Sequence, residues 1–137
     1  MLANFKAVLL FLLLTDSILS FAHGEDRPGP HGGFIKMPAA FHVEVVPVKP
    51  NRIKVYLLDM NWKHPTVQDS TVTAQHFSSK KVTKFNCAKS LDHFICEGPT
   101  DLVSGRLEVQ ATRIKQKGQP AVYDLPFQLE GNKTHHH

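Results

Sequence analysis

Phe41-His42-Val43-Glu44-Val45 alternates apolar and polar side chains, and after the break Pro47-Val48-Lys49-Pro50-Asn51 the alternation resumes in Arg52-Ile53-Lys54-Val55-Tyr56-Leu57-Leu58-Asp59. Period-two patterning rich in β-branched residues specifies half-buried strands. The two segments are therefore predicted to pair antiparallel through a turn. Phe41, Val43, Val45, Ile53, Val55 and Leu57 face the core on this reading. His42 and Glu44 leave on the opposite face, which alternation requires to be polar.

Downstream, the pattern repeats. Met60 to Pro65 reads as a loop in which Trp62, the single Trp of the chain, caps the core. Thr71 to Ser78 and Lys81 to Asn86 read as strands joined by Ser78-Ser79-Lys80, and Cys87 and Cys96 flank a hairpin tip that Gly98-Pro99 ends. Leu102 to Lys115 and Ala121 to Leu129 alternate on Leu107, Val109, Ala111 and on Tyr123, Leu125, Phe127, with the turn Gln116 to Pro120 between them. No convincing helical period occurs after residue 22. Short strands punctuated by turn residues in this way predict an all-β fold, an antiparallel β-sandwich of about seven strands and Ig-like size. That domain is expected to span residues 34–130.

Upstream, residues 1–22 hold an early cation, Lys6, an apolar run from Ala7 to Leu14 and a small-residue pair, Ser20 and Ala22. These are the parts of a secretory signal peptide. The apolar run is too short to cross a bilayer core of about 30 Å. Cleavage is expected after Ala22, leaving His23 first, so membrane contact is expected only through the cleaved peptide. Residues 23–33, crowded with Gly and Pro, read as a flexible arm without regular structure, and residues 131–137 as a disordered tail ending in three histidines. The three histidines read either as a natural capture tail or as a purification tag.

About 115 residues remain after cleavage, enough for one domain with its own core. The formal net charge of +4 is modest, and Lys80, Lys81 and Lys84 form the one cationic cluster with no aromatic side chains interleaved. Nucleic acid is not an expected partner. Export favours a disulfide between Cys87 and Cys96, although His93 between them leaves a thiol-imidazole metal site as the competing reading.

Histidine is the outlier: the chain has nine, three of them within residues 23–44. Neutral imidazole is the commonest metal ligand. His42 and Glu44, at i and i+2 on one strand, leave the same face about 7 Å apart, within reach of one ion. His31, flanked by glycines, can fold over that face, and an N-terminal His23 offers amine and ring together. His23, His31, His42 and Glu44 thus form a candidate site for copper(II) or zinc(II). The bland alternatives are a polar outer face for His42 and Glu44, a turn residue for His31 and a frayed end for His23. His64 and His76 read as surface or rim residues.

Gly29-Pro30-His31-Gly32-Gly33, followed by Phe41-His42-Val43-Glu44-Val45 and Val55-Tyr56-Leu57-Leu58-Asp59, resembles a small periplasmic β domain. That domain is found in adaptor subunits of heavy-metal efflux pumps of the cobalt-zinc-cadmium type and as free-standing exported proteins. The resemblance spans residues 29 to 66 and implies a periplasmic setting and a metal-related role. The coiled-coil hairpin and lipoyl-like region of a pump adaptor have no counterpart here, and His64 before Pro65 departs from the expected pattern.

No nucleophile elbow and no phosphate-binding loop occur, so the chain is not expected to be an enzyme. Oxygen activation at a copper-bound N-terminal histidine is the one catalytic option, and enzymes of that kind use a longer chain and a broad flat face. Two function classes stand. One is an exported copper(II)- or zinc(II)-binding buffer, carrier or sensor linked to metal efflux or tolerance, with a component of an efflux system as possible partner. The other is an exported interaction module with no metal role.

Overall fold

The computed structural model describes residues 23–98 and 101–132; the expected signal peptide and the histidines of the tail lie outside them. The strands are β1 (His23–Gly24), β2 (Phe34–Ala39), β3 (Phe41–Val48), β4 (Arg52–Leu58), β5 (Thr71–Ser78), β6 (Lys81–Lys84), β7 (Asn86–Lys89), β8 (Phe94–Glu97), β9 (Gly105–Arg113), β10 (Gln116–Lys117) and β11 (Ala121–Leu125). A 3₁₀ turn, Glu130–Asn132, follows.

The strands form two antiparallel sheets. One runs β1-β2-β3-β4-β8-β7, the other β10-β9-β5-β6 with β11 also paired to β9. The all-β sandwich read from the sequence is the fold. The predicted pair β3–β4 is in register as His42↔Leu58, Glu44↔Tyr56 and Val46↔Lys54. Phe85, between β6 and β7, carries the chain from one sheet to the other; its N–H reaches the Ala74 carbonyl at 2.9 Å and its ring is buried.

Between the sheets, Phe41, Val43, Val45, Ile53, Val55 and Leu57 meet Val72, Ala74, Leu107, Val109, Ala121 and Tyr123. Each buried aliphatic chain of this kind stabilises the fold by about 1.5–3 kcal/mol. Cys87 and Cys96, opposite each other on β7 and β8, form the expected disulfide, with Cys96 inside the core. His93 therefore has no free thiol beside it, which removes the thiol-imidazole reading.

Three expectations change. β2 was not legible: only Ile35-Lys36-Met37 alternates before Pro38, and a register shift between Lys36 and Ala39 accommodates the proline. The last strand stops at Leu125 before Pro126, and Phe127 stacks on Phe34 rather than continuing the ladder. Residues 23–33, expected without regular structure, contain β1, which pairs with β2 as His23↔Met37 and Gly24↔Lys36.

Candidate functional site

The decisive departure lies on the outer face of the six-stranded sheet. β3 is buried on both sides: Glu44 is 0% and His42 4% exposed. The solvent-facing polar surface predicted for these two side chains is instead covered by residues 25–33 and by the loop that follows β4. Ile35, Tyr56 and Leu58 form a second apolar cluster there, with Val46 and Trp62 packed against it.

Gly29-Pro30-His31-Gly32-Gly33 makes a tight turn, closed by Gly29 N–H to the Gly33 carbonyl at 2.8 Å and Gly32 N–H to the Gly29 carbonyl at 2.9 Å. The turn wraps the Glu44 carboxylate. The N–H groups of His31 and Gly33 both donate to Oε2 at 2.9 Å, and His31 Nδ1 lies 2.6 Å from Oε1. A buried carboxylate is tolerable only with such donors. The glycines are needed for closeness: a Cβ on Gly29 would run into the Glu44 carboxylate and one on Gly33 into the Val45 carbonyl. The His31 ring also lies flat on Tyr56, with centroids 3.6 Å apart and planes 6° from parallel. His93 approaches Tyr56 at 4.8 Å. Burial, then the charges of Asp92 and Glu44, raise the Tyr56 phenol above its ordinary value, so it stays neutral.

His42 engages different partners. Its Nδ1 lies 3.1 Å from the Asp59 carbonyl and its Nε2 4.0 Å from Glu25 Oε1, while Trp62 meets the ring edge-on at 5.9 Å. Asp59 shapes the loop behind it. Its carboxylate accepts from the N–H groups of Asn61 and Lys63 at 2.9 Å each and from His64 Nδ1 at 2.6 Å. These bonds, that of His64 first, hold its pKa down to about 2. Trp62 and His64 take positive φ values of 63° and 55° in this loop, a conformation uncommon for non-glycine residues. The Arg27 guanidinium sits 4.5 Å from the Trp62 ring centroid, so arm and loop are pinned to each other.

The structure thus brings His31 onto Glu44 across the first strand pair, and it sets His42 apart from that contact. Both Glu44 oxygens already accept hydrogen bonds. Among the described residues no group of three or more His, Cys, Asp or Glu side chains is spaced to hold a metal. For His23 the backbone pairing with Met37 is described. His64 is on the surface as read, with its side chain 80% exposed. His76 is not: it is 8% exposed and its Nε2 meets the Ser104 carbonyl at 2.7 Å, because β5 packs between β6 and β9 and that carbonyl caps the ring.

Sequence reasoning passed over Glu25, Tyr56 and the Asp59 carbonyl. Glu25 was hidden by the Gly/Pro content of its segment. A signal for Tyr56 was present in the polar-face alternation of β4. No family model, curated protein or solved structure matches the chain.

Proposed function

We propose that the protein is an exported binder of copper(II) or zinc(II), acting in the periplasm as a buffer, carrier or sensor linked to metal efflux or tolerance. One observation carries the reading: both histidines on the covered face have Nδ1 against an acceptor, Glu44 Oε1 for His31 and the Asp59 carbonyl for His42. A metal-ligating imidazole commonly donates its other ring N–H to a carboxylate or backbone carbonyl, which fixes the tautomer and leaves Nε2 as the ligating nitrogen. Glu44 is then an orienting partner of His31, and His23 adds amine and ring donors once the signal peptide is removed after Ala22. Transfer of the ion to a component of a heavy-metal efflux system follows the resemblance at residues 29 to 66.

Titration of the exported protein with copper(II) or zinc(II) tests this. The expected result is stoichiometric binding that weakens below about pH 6.5, where protons compete for imidazole ligands. His31→Ala and His42→Ala should each reduce affinity. The alternative is an interaction module without metal. Absence of stoichiometric binding to either ion selects it.

A further inference from the structure

We propose that the cleft at the end of the sandwich where β3 turns into β4 binds a medium-chain fatty acid, with the acyl chain inside and the carboxylate at Lys49. The inference does not depend on the metal-binding reading, because no residue of this cleft belongs to the covered face of β3. Three segments form it: the β3–β4 turn, where Val48 pairs with Arg52 across the ladder, residues 101–103 ahead of β9, and Pro126-Phe127 behind β11. Together they enclose about 400 Å³, within the range of small-molecule sites.

The walls are hydrocarbon continuous with the interior. Leu102 and Phe127 pack against the main core and also line the cleft, so the apolar layer between the sheets reaches the surface here. Phe127 is held by its stack on Phe34 at 5.1 Å and by an edge contact with Tyr123 at 5.9 Å. Val48 and Val103 line the cleft while 36% and 68% exposed, leaving apolar surface for a ligand to cover.

The polar groups of the lining select the ligand. Pro47, Pro50 and Pro126 have no N–H to donate. The Asn51 amide nitrogen is engaged by the Gly98 carbonyl at 2.5 Å, and the Gly98 N–H returns to the Asn51 carbonyl at 2.9 Å. A sugar or nucleotide would therefore bury hydroxyl groups without partners, which is unfavourable, whereas an acyl chain needs none. The charged side chains of the lining are Lys49, Arg52 and Asp101. Arg52 Nε already donates to Glu97 Oε2 at 3.0 Å. Lys49 is exposed and, among the described residues, has no carboxylate partner. One free ammonium beside an apolar cleft complements one carboxylate on an apolar chain, and Asp101 disfavours a second negative charge.

The test uses the protein produced from the full chain, with decanoate as the probe in isothermal titration calorimetry and methyl NMR. We expect saturable binding of one decanoate per chain, with shifts at Val48, Leu102 and Val103. Decyltrimethylammonium, of the same chain length and opposite charge, should bind at least tenfold more weakly, and citrate should not bind. Lys49→Met, at an exposed position, should weaken decanoate at least tenfold with an unchanged urea midpoint, and Val103→Glu should abolish binding. Lys117→Gln, beside the far end of β9, should change nothing. Absence of saturable decanoate binding, shifts confined to other methyl groups, equal affinity for the cationic analogue, or full affinity in Lys49→Met each overturn the proposal. Sedimentation with phosphatidylglycerol vesicles by a protein that leaves free decanoate unbound overturns it too, in favour of a membrane surface.

Discussion

Removal of His31 probes the turn around Glu44 most directly, because a single ring makes two kinds of contact there. His31→Ala deletes the bond from Nδ1 to Glu44, at 2.6 Å, and a charge-assisted bond contributes about 1.5–3 kcal/mol. It also deletes the flat stack on Tyr56, which adds about 0.5–1.5 kcal/mol. The His31 side chain is 32% exposed, so solvent screening puts the sum toward its lower end, roughly 2–3 kcal/mol. For a domain of this size about 4 °C in Tm corresponds to 1 kcal/mol, so the midpoint should fall by roughly 8–12 °C. Glu44→Gln keeps one oxygen for the two backbone N–H groups but puts an amide NH2 where the second oxygen met His31 Nδ1, at a cost of about 1–2 kcal/mol. The double variant should be less destabilised than the sum of the two, by about 1 kcal/mol or more, since each single change already breaks the shared bond. Urea unfolding followed by circular dichroism and Trp62 fluorescence measures all four corners of the cycle. Additivity within about 0.5 kcal/mol would refute the claim that His31 and Glu44 act as a coupled pair.

Two further predictions come from features away from that pair. Asp59, held down to about 2 from 3.8, contributes stability that is complete above its ordinary value and lost as pH falls toward about 2. Asp59→Asn should therefore show a flatter Tm-against-pH curve over that window, and parallel curves for the two proteins would contradict this. Replacing Cys87 and Cys96 together by Ser opens a loop with a sequence separation of 9, which should cost about 2.5 kcal/mol by chain entropy, read as a lower urea midpoint; no change would mean that the hairpin is as restricted without its cross-link.

Much of the fold was legible because alternation reports the faces of a strand directly, as at Val43, Val45, Ile53, Val55 and Leu57. The disulfide was legible from the spacing of the two cysteines and the expectation of export. What alternation does not report is whether a polar face meets water or a further layer of chain. His42 and Glu44 satisfied the rule for an exposed face equally well while being covered. The covering segment has the composition of a loop, since close approach to a carboxylate needs glycines at 29 and 33, and the same glycines read as absence of order. The partnership of His31 with Glu44 could be guessed because a glycine-flanked imidazole has few other uses. Glu25 could not, since its placement depends on β1 pairing with a strand that Pro38 conceals.

The layer formed by residues 25–33 also acts as a lid on hydrocarbon. Beneath it lie Ile35 and Leu58, which are 2% and 0% exposed, and Tyr56 at 8%. A protease that clipped the chain after Gly33 would leave the main core between the sheets untouched and yet open an apolar strip beside a carboxylate stripped of its donors. Such a trimmed form would lose β1, keep the strands that enclose the main core and lose its solubility, so residues 25–33 protect the molecule from its own second apolar cluster.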